Sequence, residues 1–487
     1  MNGFYKRPIS NEDDLKSPAF IKPAKIKTSL KPLFSWAKRH IFLSIIIVVL
    51  LGLTAKGMAG AIRVGNLFSV KQIVISAVSD TIETDEYGHT NVLLLGVGGE
   101  YHDGGTLTDT MIVASVDHKN HIVPMLSIPR DFYVENDYVG WGTRINSIYE
   151  YVAENNDEDY ELGMQELVKE IEEIAGVEIH YYAKIDFSGF VDVVDAIGGI
   201  TVNVEEAIYD PFYPAEYSSS ADFQTFQIGI GEQEMDGDTA LKYARSRQST
   251  SDFDRAHRQQ EIINAIKEQA LSVGFLLNPM KIKNTISAVS DNFETNMTLS
   301  EMLNFANLAS NFDGDSMVSA VLNDEPSVTG GILYAPPREE YGGAYVLIPY
   351  TEDYDEIHQL AEVLFHYPEI HLDQIPIQIL NGTGTNALAG FTALHLIRLG
   401  FNVIDTANSL EASVPATSMF AATELNDVTE DTLDVIQMLV PGVILNETPE
   451  EYSYPNWDTD AEIIIELGED YLDYYEENDK FFYYGVY

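Results

Sequence analysis

Four arginines crowd into Leu241–Gln260, LKYARSRQSTSDFDRAHRQQ: Arg245, Arg247, Arg255 and Arg258. The chain holds eleven arginines in all, so more than a third sit in this one stretch of a protein whose formal net charge is −49. Guanidinium groups gathered in so acidic a chain point to a ligand more negative than the protein itself. Arg245 and Arg247 are two apart, so an extended chain turns both the same way. Arg255, Arg258 and Gln259 fall at i, i+3 and i+4, one face of a helix. Two such sets meeting at a turn would form a cup of forked donors that matches phosphate oxygens in pairs. The competing reading is a salt-bridged surface helix, because Asp252, Asp254 and Glu261 lie close by.

A second pairing comes from strand order. The apolar run from Asn91 ends in Gly98-Gly99 and reads as a buried strand with a tight loop. Thr110–Val116 reads as the next strand, and the run from His121 as a third, ending in Arg130-Asp131. The short Asp117-His-Lys-Asn turn makes a hairpin of the last two. Asp109 therefore enters one strand and Arg130 leaves its partner, which sets a carboxylate beside a guanidinium at one edge.

Other elements must carry these groups. Asp236 or Asp238 caps a short helix before Arg245, and Asp252 or Asp254 starts a second one carrying Arg255. Helices are expected over 160–175 and 187–197, and strands over 179–185 and 200–204. Alternating strands and helices argue for an α/β layer fold with a mixed sheet. Residues 209–226, aromatic and rich in Ser and Pro, read as a long loop over a site. Residues 276–370 read as the completion of the same domain, with strands at Met317–Leu322 and Ala344–Pro349. Residues 375–485 look separate: a strand from Ile375, a helix over 387–399 and a strand from Phe401 form a β-α-β-like unit. Asn381-Gly-Thr-Gly within it reads as a simple turn rather than a phosphate loop.

The termini differ sharply. Residues 1–40 carry nine Lys/Arg against three acids and read as a disordered basic tail. Residues 41–62 are apolar except for Lys56, which can reach the interface, and read as a single uncleaved transmembrane anchor. A cleaved signal peptide is the alternative. The basic tail places the N-terminus in the cytoplasm and the body outside the cell membrane. Residues 63–87 form a juxtamembrane stalk. The acidic body repels nucleic acid. With no cysteine there is no disulfide, thiolate metal site or cysteine nucleophile.

Several motifs in this order resemble the LytR-CpsA-Psr family: Asp109-Thr-Met, Ser127-Ile-Pro-Arg130-Asp131, Arg144-Ile-Asn146-Ser-Ile-Tyr149 and Gly198-Gly-Ile-Thr-Val. Met235-Asp-Gly-Asp-Thr-Ala-Leu-Lys-Tyr-Ala-Arg245-Ser-Arg247 and Arg255-Ala-His-Arg258-Gln259 complete the set. The likeness covers roughly 88–275, more loosely to about 370, and residues 371–487 resemble the family's accompanying C-terminal domain with an acidic tail. The resemblance implies a three-layer α/β/α core in a catalytic domain over 88–370, a transmembrane helix and a small C-terminal α/β domain. It implies a membrane-anchored phosphotransferase that moves an anionic glycopolymer, such as teichoic acid, from a polyprenyl pyrophosphate carrier onto peptidoglycan.

In that scheme Arg130, Arg245, Arg247, Arg255 and Gln259 bind the pyrophosphate, Arg144 and Arg258 support it, and Asp109 holds Mg²⁺, or Mn²⁺ in its place. Asp131 or Asp109 is the candidate general base. The chain departs from the family twice. Gly98 or Gly99 stands where an aspartate is usual, and Leu107 where an arginine is usual. Asp103 is the candidate replacement carboxylate for the metal. A polyprenyl-pyrophosphate hydrolase and a non-catalytic wall- or polyanion-binding protein are the competing functions.

Overall fold

The computed structural model describes residues 82–483, except 100–103, 215–222, 247–251, 271–291, 299–300, 302–304, 306–316, 325–330, 412, 423–425 and 454–455. The expected tail and anchor, most of the stalk, Asp103 and Arg247 lie outside the described residues. Among the described residues no helix is long and apolar enough to cross a membrane.

A six-stranded mixed sheet forms the centre of the first part of the chain. Its strands are β1 (His89–Val97), β2 (Thr108–Asp117), β3 (Val123–Ile128), β6 (Tyr181–Asp186), β11 (Phe293–Thr295) and β12 (Met317–Val321), in the order β11-β6-β1-β2-β3-β12. β1, β2 and β3 run antiparallel in turn, while β6 and β12 join them in parallel. The sequence predicts the hairpin because the two runs are uninterrupted and the Asp117 turn is polar. Asp117 Oδ1 accepts from the Lys119 and Asn120 amides at 2.7 and 2.9 Å and fixes that turn.

Both faces of the sheet are covered, which explains why β1 reads as continuous apolar sequence rather than as alternation. Leu93 and Leu95 pack with Met111, Val113 and Leu126 against the helices α1 (Ile148–Glu154) and α2 (Tyr160–Ala175). Val92, Ile112 and Met125 face the opposite way, towards Phe305. Helix α2 ends cleanly for local reasons. Asp159 accepts from the Leu162 amide at 3.0 Å at its start, and Gly176 closes it in the left-handed region at φ +68°.

Two small ribbons flank the sheet. β4 (Tyr133–Asn136) pairs with β5 (Trp141–Arg144), and β7 (Ile200–Val204) with β10 (Gly231–Met235). Between β6 and β7 lies α3 (Phe187–Ala196), capped by Asp186, which accepts from the Gly189 amide at 2.8 Å. The expected loop over 209–226 is instead an antiparallel ribbon of β8 (Ile208–Pro214) and β9 (Phe223–Ile228). It alternates: Asp210 and Tyr213 turn inward while Tyr209, Phe212 and Phe223 are exposed. Proline and serine at its tip masked that period of two. Helix α4 (Gly237–Arg245) follows with Asp236 as its cap, and α5 (Asp252–Ala270) after it. The expected strand over 344–349 shrinks to Ile348–Pro349.

Helix α6 (Asp355–His366) lies against β3 and α2 and leads to the C-terminal half. There β13 (Ile377–Asn381), α7 (Leu388–Arg398) and β14 (Val403–Asn408) form the expected β-α-β unit with parallel pairing. β15 (Ser418–Ala421), helix α8 (Asp427–Leu439), β16 (Val443–Ile444) and β17 (Ile463–Leu467) complete a five-stranded sheet of order β14-β13-β17-β15-β16. Asn381 closes the turn after β13: its Oδ1 accepts from the Thr383 amide at 3.0 Å and its Nδ2 donates to the Thr385 carbonyl at 2.8 Å. One apolar cluster runs from Leu93 through Leu364 to Ile463, so the two halves share a core.

Candidate functional site

The site forms where β1 ends and β2 begins. The β1–β2 register matches Gly96 to Thr110 but Val97 to Thr108, so Asp109 is the extra residue of a bulge. A bulge bends the strand and re-aims its side chain. Asp109 thereby meets Arg130, just past the end of β3. Arg130 Nη1 donates to Asp109 Oδ1 at 3.1 Å, joining the two residues expected at one edge. Asp131 continues the chain of charge. It is buried, with Oδ2 3.4 Å from Arg130 Nε and Oδ1 accepting from Arg144 Nη1 at 3.0 Å. Arg130, Asp109 and Arg144 keep 19%, 33% and 44% of their side chains in solvent.

Helix α5 supplies the opposite wall. Arg255 and Gln259 line one cleft with Asp109, Arg130, Asp131 and Tyr345. The cavity volume is about 170 Å³. This is below the ~300–1,000 Å³ of pockets that enclose drug-sized ligands, so the cleft suits a headgroup rather than a whole chain.

Three of the other expected arginines lie elsewhere. Arg258 is buried and turns from the cleft towards α4, donating to the Tyr243 carbonyl at 3.0 Å and to the Ser246 carbonyl. It satisfies carbonyls at the C-terminal end of α4, where helix carbonyls lack intrahelical partners. The helical spacing that grouped Arg258 with Arg255 thus separates on packing: i and i+4 face the cleft, and i+3 faces the neighbouring helix. Arg245 does not line the cleft. It donates to Tyr213 Oη at 3.2 Å and stacks 3.9 Å over the Phe187 ring. Arg144 reaches the cleft only through Asp131.

The structure adds residues that the sequence reading missed. Asp324 and Tyr345 line the cleft, with Tyr345 Oη donating to Asp324 Oδ2 at 2.9 Å. Neither has a local motif, because the chain brings them in from beyond β12. Asp186 stands at the same end of the sheet, paired with Val97. Gly99 sits at φ +87°, and a Cβ there would lie 3.2 Å from the Asp186 carboxylate, so a side chain at 99 is disfavoured twice. Burial pushes the Asp186 carboxyl above the usual carboxylate range. Its signal in the sequence was its place as the polar residue between a strand and a helix.

The donor set fits a hard cation of the kind the family resemblance implies. Mg²⁺ usually takes one or two protein carboxylates and completes its shell with water and substrate phosphate oxygens. Asp109 offers one partly exposed carboxylate at the cleft. Neither of the denser His/carboxylate groups among the described residues includes it.

The LytR_cpsA_psr family model matches residues 65–348, and that of the LytR cell envelope-related transcriptional attenuator matches residues 374–471. The polyisoprenyl-teichoic acid–peptidoglycan teichoic acid transferase TagV of Bacillus subtilis is 33% identical over 238 residues, 48% of this chain and 54% of TagV. The chain thus spans about half the length of that relative. The cell wall biosynthesis protein LcpA of Corynebacterium glutamicum is 25% identical over 461 residues, 83% of each chain. The crystal structure of B. subtilis TagV aligns at a TM-score of 0.43 and 25% identity, covering 58% of this chain and 99% of that one. With a family model spanning more than half of its length, the chain belongs to the LytR-CpsA-Psr family.

Proposed function

We propose that this protein is a membrane-anchored phosphotransferase that attaches an anionic glycopolymer from a polyprenyl pyrophosphate carrier to peptidoglycan. The observation that carries the reading is the convergence of Arg130, Arg255 and Gln259 on one cleft with Asp109 and Asp131. The names of TagV and LcpA, a teichoic acid transferase and a cell wall biosynthesis protein, support the substrate class.

Phosphoryl transfer needs positioning and neutralisation of spreading charge more than covalent help from protein. The diphosphate lies against Arg130 and Arg255, whose forked donors match its oxygens, and Gln259 orients it. An acceptor sugar hydroxyl attacks the phosphorus on the polymer side. The bond from that phosphorus to the bridging oxygen breaks, and polyprenyl monophosphate leaves. The hydroxyl proton passes to a cleft carboxylate, for which Asp109 and Asp131 are the candidates. Mg²⁺ held by Asp109 would supply charge neutralisation for the leaving phosphate. The 41–62 segment would hold the body at the outer face of the cell membrane, and the acidic surface argues against a nucleic-acid partner.

The test is transfer from a lipid-linked donor to peptidoglycan by the full-length chain in detergent, with and without Mg²⁺. The expected result is glycan product and polyprenyl monophosphate in equal amounts, lost in Arg255→Ala. Phosphate release without glycan product would replace the reading with a hydrolase. Donor binding without turnover would make it a binding protein.

A further inference from the structure

At the opposite pole of the central sheet, far from the cleft, β1 starts and β2 ends, with His89 paired to Asp117 in the register. Three ligand-type side chains meet there: Asp85 before β1, His89 at its first position and His366 at the last position of α6. Each offers an atom within 4.8 Å of the other two. That spacing can close around one ion with first-row metal–ligand bonds of about 2.0–2.2 Å.

The second observation is a buried donor set with unfilled valence. His89 is 6% exposed, and its Nδ1 has no hydrogen-bond partner among the described residues. Its other ring nitrogen, Nε2, lies 3.7 Å from Asp117 Oδ2. A carboxylate behind one imidazole nitrogen, with the other nitrogen left over, is how metal-binding histidines are oriented. His366 Nδ1 is also buried and lacks a hydrogen bond, although Glu362 Oε2 stands 2.9 Å away, outside hydrogen-bond geometry. Asp85 is held in place by its own turn: Oδ1 accepts from the Tyr87 and His89 amides at 3.0 and 2.8 Å. The Tyr87 ring stacks on His366 at 3.9 Å and covers the group.

We propose that Asp85, His89 and His366 bind a divalent transition-metal ion of the zinc class. Two imidazoles and one carboxylate favour Zn²⁺, Co²⁺ or Ni²⁺ over Mg²⁺ and Ca²⁺, which prefer oxygen shells. The ion ties the segment entering β1 to the end of α6, where the chain turns into its C-terminal half. It is a structural staple, separate from the cation at the cleft.

The experiment uses the full-length chain in detergent, stripped with chelator, and titrates it with Co²⁺ alone and then Zn²⁺. The expected result is one visible d–d band per chain, bleached by one equivalent of Zn²⁺ and unmoved by excess Ca²⁺, with a higher Tm in Zn²⁺. His366→Gln and Asp85→Asn should each abolish the band. Asp85→Asn keeps the Oδ1 turn, so it decides the matter if His366→Gln unfolds. Glu261→Gln, in a separate acidic group, should leave the band intact. Folded wild-type protein without a Zn²⁺-bleached band, or a band that survives in Asp85→Asn, would overturn the proposal.

Discussion

Arg130 and Arg398 both hold carboxylates, in very different surroundings. Arg130 keeps 19% of its side chain in solvent at a cleft lined also by Arg255 and Gln259. Arg398 keeps 1%, and the Glu356 it pairs with at 2.7 Å keeps none. Glu356 also contacts His395 Nδ1 at 3.2 Å and accepts from Tyr483 Oη, while Arg398 donates to the Phe481 carbonyl. These groups join α6, α7 and the end of the described chain. Because the buried set is closed off from solvent, an arriving anion has no access to it. The cleft set has solvent on one side, so its guanidinium groups can exchange a carboxylate for a phosphate. Burial, not residue type, separates a closed charge cluster from one open to solvent.

Breaking each cluster should show that difference. Arg398→Ala leaves Glu356 buried with His395 and Tyr483 but without its guanidinium partner, and breaking a buried ion pair in this way costs about 3–5 kcal/mol. Urea unfolding should register that loss, and a change under ~1 kcal/mol would contradict the structural assignment. Arg130→Ala should do the reverse: stability within ~1 kcal/mol of wild type, but transfer slowed by roughly 10²–10³, the scale of removing one charge-stabilising donor. Unchanged turnover would remove Arg130 from the chemistry.

A third case sharpens the contrast, since His371 is a buried titratable group whose shift has no charge partner behind it. Desolvation alone lowers its pKa from 6.5 to about 4. Above pH 6.5 both folded and unfolded states hold it neutral, so its contribution is fully present. Between pH 6.5 and 4 only the unfolded chain takes the proton, and stability falls as pH falls. The loss across that window is about 3–4 kcal/mol. His371→Leu should flatten the difference in unfolding free energy between pH 7 and pH 4.5, and an unchanged slope would refute this origin. The smallest effect belongs to the half-buried pair Asp238–Lys242, one turn apart on α4. The ion pair itself should contribute only about 0.3–0.5 kcal/mol to Lys242→Ala by thermal melting, and a larger loss would mean that packing of the Lys242 stem contributes as well.

Local signals explain what the sequence disclosed. Asp159 and Gly176 bound α2, Asp236 starts α4, and the polar Asp117 turn makes the β2–β3 hairpin, each through groups within a few residues. The meeting of Asp109 and Arg130 followed from that hairpin. The bulge that aims Asp109 did not, because it depends on how β1 registers against β2. Helical spacing placed Arg255 and Gln259 together but could not see α4, which claims Arg258. Glu356 and Arg398 lie 42 residues apart, and no periodicity links them. Tyr345 and Asp324 were hidden for the same reason.

Gln260 anchors α5 to the sheet. It is buried, and its Nε2 donates to Ser127 Oγ at 3.3 Å while its Oε1 accepts from Ser319 Oγ at 2.9 Å. Those serines belong to β3 and β12, neighbouring strands of the sheet. This amide therefore sets the rotational phase of the helix: turning α5 by one residue, about 100°, would unseat both contacts and swing Arg255 and Gln259 off the cleft. Directional polar bonds fix an angle that non-directional apolar contact leaves loose. The aim of the cleft-lining Arg255 and Gln259 is thus decided by the uncharged neighbour of Gln259, which does not itself line the cleft.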